Sequence, residues 1–270
     1  MRVIGIVSGK GGVGKTTTAA NLGAALANTF NKDVAVVDGN FATPNLALHY
    51  GMYHYTNTFD EALKDEIPIK QAIHTHPSGV KIIPSSLASY SVSESPEEFV
   101  KDLEEGIEIP TDPLIPMITT TSTNVKEALS ELKEYEIILV DSAPGLEKES
   151  VPVLAASDEV LVITNPEIPA LTDALKMIKM AESIGVKIFG VEVNRWRRER
   201  YELSIMEIES VCDAPVIAVI PESDQVRKSI AVGNPVVVNT PHTHAAVAFK
   251  KLAAKVIGKE YKPKVQERLR

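Results

Sequence analysis

The chain has 270 residues, 44% apolar and 24% charged, with 28 Lys and Arg against 36 Asp and Glu and a net charge of −8. These fractions exclude disorder, collagen-like sequence and low-complexity linker, and the acidic balance speaks against wholesale coating of nucleic acid, though not against a local basic patch. A single cysteine, Cys212, excludes an intrachain disulfide, a CxxC redox pair and a cysteine cage for a metal within one chain. The longest apolar runs, Val151–Ala156 and Ala214–Pro221, have the length of buried strands or short helices and fall short of the roughly 18 residues a membrane-spanning helix needs.

From the N-terminus, Arg2 leads straight into a strand, Val3–Val7, with no signal-peptide cleavage pattern, so a soluble intracellular protein is expected. Next comes Gly9-Lys10-Gly11-Gly12-Val13-Gly14-Lys15-Thr16, which fits G-x-x-x-x-G-K-[ST], and then a helix over Thr17–Asn28 with Ala19, Leu22, Leu26 and Phe30 at helical spacing. Glycines let the backbone curl around a phosphate with its N–H groups inward, and the helix presents its positive dipole end to the same phosphates. Lys15 places a point charge on the β/γ oxygens, and the Thr16 hydroxyl suits a magnesium ligand. Gly11, Gly12, Val13, Gly14, Lys15, Thr16 and Thr17 are therefore the predicted nucleotide-binding residues.

A second strand, Val34–Val37, runs into Asp38-Gly39-Asn40-Phe41-Ala42-Thr43-Pro44-Asn45-Leu46, with Asp38 at the carboxyl end where ligands bind in open α/β sheets. A third strand is expected at Val80–Ile83. The proline-punctuated stretch Ser91–Ser122 reads as a short helix near Pro96–Glu105 followed by a surface insertion. A helix at Thr123–Lys133 precedes the strand Ile137–Val140, which ends in Asp141-Ser142-Ala143-Pro144-Gly145-Leu146. The strand Val160–Ile163, the helix Leu171–Ser183 and the strand Ile188–Val193 follow.

That strand ends at Asn194, which read alone is a cap or turn residue. Arg195-Trp196-Arg197-Arg198-Glu199-Arg200-Tyr201 holds four arginines beside the only tryptophan, at the start of a helix expected over Arg198–Val211. The run fits a solvated face, DNA phosphates, acidic lipid headgroups or a protein partner. The strand Val216–Ile220 ends in Pro221-Glu222-Ser223, and a helix at His244–Val256 is expected to pack on the sheet. The last residues, 259–270, carry five Lys or Arg and two Glu, with Tyr261, Val265 and Leu269 at i, i+4 spacing. Three apolar residues give at most a weak membrane tether. His49, His54, His74, His76, His242 and His244 lack the spacing of a zinc pair on a helix.

Short, β-branched strands alternating with helices imply an α/β fold, a doubly wound, mostly parallel sheet with helices on both faces. One domain is expected over 1–258, with 91–122 as a surface insertion and 259–270 as a basic tail.

The second loop lysine, Lys10, gives the segment a resemblance to the deviant Walker A motif of the MinD/ParA group of P-loop ATPases, closest to MinD-like members. The resemblance extends over nearly the whole chain apart from Ser91–Ser122 and the last dozen residues. It implies binding of ATP and Mg2+, and a homodimer in which Lys10 reaches the nucleotide of the second subunit. It also implies that Asp38 and Asp141 assist the metal with Thr16, that the Gly145 N–H senses the γ-phosphate, that Asn194 binds the adenine, and that Pro221 and Glu222 frame the ring. Lys10, Lys15, Asp38 and position 40 are the implied catalytic residues.

Position 40 departs from the family pattern. The expected second Asp is Asn40, whose amide hydrogen-bonds water but cannot take its proton at neutral pH. Slow or abolished hydrolysis is therefore expected.

The leading functional expectation is an ATP-dependent positioning switch, acting on the cell-division site or another structure with a protein regulator, cytoplasmic or peripheral to a membrane. The alternatives are a DNA partition ATPase using Arg195–Arg200 and a non-hydrolysing ATP-binding scaffold. Iron–sulfur relatives need cysteine pairs that this chain lacks.

Overall fold

The computed structural model describes residues 1–86, 122–145, 150–263 and residue 267. The insertion expected at 91–122, with its short helix, lies outside the described residues save for Ser122; so do Leu146, Val265 and Leu269.

Strands β1 (Arg2–Val7), β2 (Val34–Gly39), β3 (His74–Thr75), β4 (Lys81–Ile83), β5 (Ile137–Ser142), β6 (Glu159–Thr164), β7 (Lys187–Trp196) and β8 (Val216–Pro221) form an eight-stranded sheet. Their order is β3-β4-β2-β5-β1-β6-β7-β8. Every neighbouring pair is parallel except β3 with β4. The two-residue β3 lies at the sheet edge and is too short to leave an alternation in the sequence.

Parallel strands are buried on both faces, and the residues alternate between two cores. Ile4, Ile6, Val34, Val36 and Leu139 point to one face, where Leu22, Leu26, Phe249 and Leu252 cover them. Val3, Ala35, Val37, Ile138 and Val140 point to the other, against Phe59, Leu129, Leu132 and Val153. On that second face, further along the sheet, Val160, Val162, Val191 and Val193 meet Leu171, Met177 and Ile208. Each fully buried Leu, Ile or Phe contributes about 1.5–3 kcal/mol relative to exposure, so both faces are needed to hold the sheet.

The helices are α1 (Lys15–Ala24), α2 (Leu46–His49), α3 (Phe59–Leu63), α4 (Ser122–Ser130), α5 (Val151–Ala156), α6 (Ile168–Ser183), α7 (Ile205–Cys212), α8 (Asp224–Ala231), α9 (Val236–Asn239) and α10 (His244–Val256). A π-helical turn, Ala25–Thr29, continues α1. Val151–Ala156, ambiguous in the sequence, is helical, with Pro152 in its first turn. The His244–Val256 helix packs against β8 and α1, as expected.

The helix expected from Arg198 instead begins at Ile205. Ser204 and Glu207 form a capping box there, while Arg195 and Arg198 take positive φ values of 58° and 66°, which no helix accommodates. The arginines are therefore not a helix start: Arg195 lies in β7, just before its last residue Trp196, and Arg197, Arg198 and Arg200 lie in the connection to α7.

Of the three apolar tail residues only Tyr261 is among the described residues: its ring meets Phe30 edge-on at 6.0 Å, and its hydroxyl donates to Glu267. Glu267, 4% exposed, accepts from Lys250 Nζ at 2.7 Å. Among the described residues no helix is long and apolar enough to cross a membrane.

Candidate nucleotide site

β1 lies where the connections diverge to either side of the sheet, and the crevice beyond its carboxyl end is the place where such folds bind ligands. The loop between β1 and α1 fills it. Gly14 has φ 108°, and a Cβ there would stand 2.1 Å from Asn194 Nδ2; a Cβ on Gly9 would stand 2.0 Å from the Asp173 carbonyl oxygen. Only glycine fits either place, so the loop is gripped between β7 and α6. The Ser8 hydroxyl donates to the Lys10 carbonyl at 2.8 Å. No side chain caps α1, which leaves its first-turn N–H groups for an anion.

The two loop lysines have opposite environments. Lys15 is 7% exposed, and its pKa is lowered because burial desolvates the ammonium, partly offset by the charge of Asp141. Lys10 is exposed, with no ion pair among the described residues.

Asp38 and Asp141 are register partners on β2 and β5, each 1% exposed. Burial pushes the Asp141 carboxyl up to about 6, against the opposing pull of the Thr16 hydroxyl and Lys15. Asp38 is also raised, by burial first and by Asp141 second, although it accepts from the N–H groups of Asn40, Asn45 and Leu46 at 3.0, 3.1 and 3.0 Å. Asp141 Oδ1 is buried with no partner.

Two facing carboxylates, an orphaned oxygen and a neighbouring threonine hydroxyl are a donor set for a hard divalent cation, whose remaining ligands would be water and phosphate. Thr16, Asp38 and Asp141 thus fit the Mg2+ expected from sequence. When bound, the ion supplies positive charge to the phosphate oxygens.

Asn40, 6% exposed, is held by Thr43: its Nδ2 donates to the Thr43 carbonyl at 2.8 Å, and its Oδ1 accepts from the Thr43 N–H at 3.2 Å. Its amide is spent on its own loop. Gly145 N–H, expected to face a γ-phosphate, donates to the Ser8 carbonyl at 3.2 Å here. Gly11 and Gly12 are exposed at the front of the loop, and Val13 is buried behind it.

Asn194, expected at the adenine, stands beside the loop: its Nδ2 donates to the Val13 carbonyl at 2.8 Å and its Oδ1 accepts from Arg195 N–H, so the amide buttresses the loop from β7. Pro221 and Glu222 lie beside β7: Pro221 pairs with Trp196, and Glu222 donates its N–H to the Trp196 carbonyl and lies 3.7 Å from Arg197. Arg195, Arg197, Arg198 and Arg200 are exposed around this rim, with Arg198 over the Trp196 ring at 5.3 Å.

Two functional neighbours escaped the sequence reading. Glu192, fully buried in β7, accepts from the Thr18 hydroxyl at 2.6 Å. A lone carboxylate inside an apolar strand was its signal. His49 Nε2 lies 3.3 Å from Thr17 Oγ1. Nothing local marks that contact.

Comparison with known proteins gives this arrangement its relatives. A family model described as "AAA domain" matches residues 1–188. A second, described as "4Fe-4S iron sulfur cluster binding proteins, NifH/frxC family", matches residues 119–269. Such clusters are held by four thiolates, and the only cysteine is the buried Cys212, its thiol pushed up to about 11 by burial. The second match therefore concerns shared architecture and not a cluster site.

The chain is 37% identical to an uncharacterised ATP-binding protein of Methanocaldococcus jannaschii, over 98% of this chain and 91% of that one. It resembles the cell-division ATPase MinD of Pyrococcus furiosus, with a TM-score of 0.79, 31% identity and 95% and 98% of the two chains covered. It also resembles the septum site-determining protein MinD of Pyrococcus horikoshii, solved with Mg-ADP, with a TM-score of 0.78, 32% identity and 94% and 95% covered. Loop, facing aspartates and whole-chain likeness agree: the chain belongs to the MinD/ParA family of P-loop ATPases.

Proposed function

We propose that the protein is an ATP-dependent dimerisation switch that positions a cellular structure, such as a division site, and hydrolyses ATP slowly. The observation that carries this reading is the contrast between the two loop lysines. Lys15 is buried beside Asp141, set to hold phosphate within its own subunit. Lys10 is exposed at the mouth of the same loop without an ionic partner among the described residues, available to a nucleotide held by a second copy. ATP shifts the monomer–dimer balance only by contacting the dimer differently from the monomer, and an ammonium lent across the interface is such a contact.

Light scattering coupled to size exclusion tests this. ATP with Mg2+ is expected to double the mass, and ADP is not. Lys10→Ala is expected to bind ATP yet dimerise about tenfold to a hundredfold more weakly, the cost of removing one close charge contact. An ATP dimer unchanged in the Lys10→Ala variant would refute the mechanism.

The arginine rim supports a second reading, attachment of the dimer to an anionic surface. Its residues 195, 197, 198 and 200 are all exposed on the edge that holds the nucleotide loop. Cosedimentation with duplex DNA and with anionic vesicles, with and without ATP, separates DNA partition from peripheral membrane attachment.

A further inference from the structure

His49 ends α2, just beyond the segment 38–46. Its Nδ1 lies 3.1 Å from the Asn45 carbonyl, which only accepts, so Nδ1 carries the ring proton. Nε2 is then bare, and at 3.3 Å it accepts the O–H of Thr17 in the first turn of α1. Burial pushes the His49 pKa below its ordinary value, in keeping with a neutral ring.

The helix does not need this contact to stay in place. Leu46 and Ala47 are buried, and the Tyr50 hydroxyl donates to the Ala20 carbonyl at 2.8 Å, tying α2 to α1 independently. The Thr17 hydroxyl, in contrast, has one proton. It donates to His49 or to a phosphate oxygen, never to both.

We propose that His49 is a positioning residue that holds the Thr17 hydroxyl in the nucleotide-free protein and yields it when phosphate binds, so that each binding event releases the imidazole linking α1 to the 38–46 segment. This rests on the nucleotide reading above, in which Thr17 belongs to the phosphate site. Its consequence has a definite sign. A contact present only before binding opposes binding, so removing it tightens the nucleotide complex, whereas a merely structural histidine would loosen it.

The experiment measures ATP and ADP affinity of the full chain by calorimetry for wild type, His49→Leu, His49→Gln and Thr17→Val, and for the Leu substitution in the Thr17→Val background. Loss of one hydrogen bond corresponds to roughly a fivefold change. His49→Leu is expected to bind about fivefold more tightly, and His49→Gln, which keeps a donor and an acceptor, to bind as wild type does. The tightening should vanish in the Thr17→Val background.

Nitrogen NMR of the wild-type imidazole answers the same question without a substitution: the Nε2 resonance should shift on nucleotide addition while Nδ1 keeps its proton. An unchanged or weakened His49→Leu complex, tightening that persists without the Thr17 hydroxyl, or a static Nε2 resonance overturns the inference and leaves the nucleotide site standing. Failure of the wild type to bind either nucleotide overturns both.

Discussion

Asn40→Asp is expected to raise the single-turnover rate of ATP hydrolysis by about a hundredfold or more, the usual contribution of a positioned general base. Asn40 follows β2, two residues beyond Asp38, at the position where the family resemblance implies a water-orienting carboxylate, and an amide cannot take the proton. Its neighbourhood adds a second effect. The Asn40 Nδ2 donates to the Thr43 carbonyl at 2.8 Å. A carboxylate there would face that carbonyl with acceptor against acceptor while still accepting from the Thr43 N–H, so the turn loses one of its bonds and loosens.

The new charge also joins the raised carboxyls Asp38 and Asp141, and the nucleotide-free variant should be less stable by about 1–2 kcal/mol. Quenched-flow measurement of phosphate release in both proteins decides the matter. Equal rates would mean that positioning and electrostatics set the barrier and that the amide costs nothing.

The second large effect concerns stability. The Glu192 carboxyl is fully buried, accepts from Thr18 on one oxygen and leaves the other without a partner. Burial pushes its pKa up to about 8 from an ordinary 4.5, against a smaller opposing pull from the Thr18 hydroxyl. The folded state therefore binds this proton more tightly than the unfolded chain does. The favourable contribution is complete below pH 4.5, shrinks while the unfolded chain alone gives up its proton, and is gone above pH 8.

The slope across that window is about 1.4 kcal/mol per pH unit, a few kcal/mol in all. Glu192→Gln has nothing to titrate and should lose that part of the decline. Asp38 and Asp141 slope the same way, so the informative quantity is the difference between the denaturation curves of the two proteins at successive pH values. Curves that stay parallel from pH 5 to about pH 9 would show that the buried carboxyl does not titrate as described.

Some elements were legible from the sequence because their signal is local. The loop Gly9–Thr16 is contiguous, and seven apolar runs coincide with strands because a parallel strand covered on both faces is built mostly of apolar residues. Other elements were not. The four-residue helices α2 and α9 and the two-residue β3 span about one period of their patterns, too little for a repeat to show. The helix expected from Arg198 failed because the charge pattern is indifferent to φ, and two residues of the run take left-handed backbone. Tyr261, chosen in the sequence for its spacing, meets Phe30, a contact between residues far apart in the chain that no local pattern encodes.

The amino-acid order alone dictated a phosphate loop with two lysines, a parallel α/β sheet around it, and the missing carboxylate at position 40. Which groups confront each other depended on the lateral strand order. Placing β5 between β2 and β1 turned Asp38 and Asp141 into neighbours and brought Lys15 to them. Bringing β7 behind α1 joined Thr18 to a carboxylate 174 residues away. Spacing along a chain encodes the face on which a side chain emerges, but not which strand lies beside it; that is settled only when the apolar faces of the whole sheet are buried together.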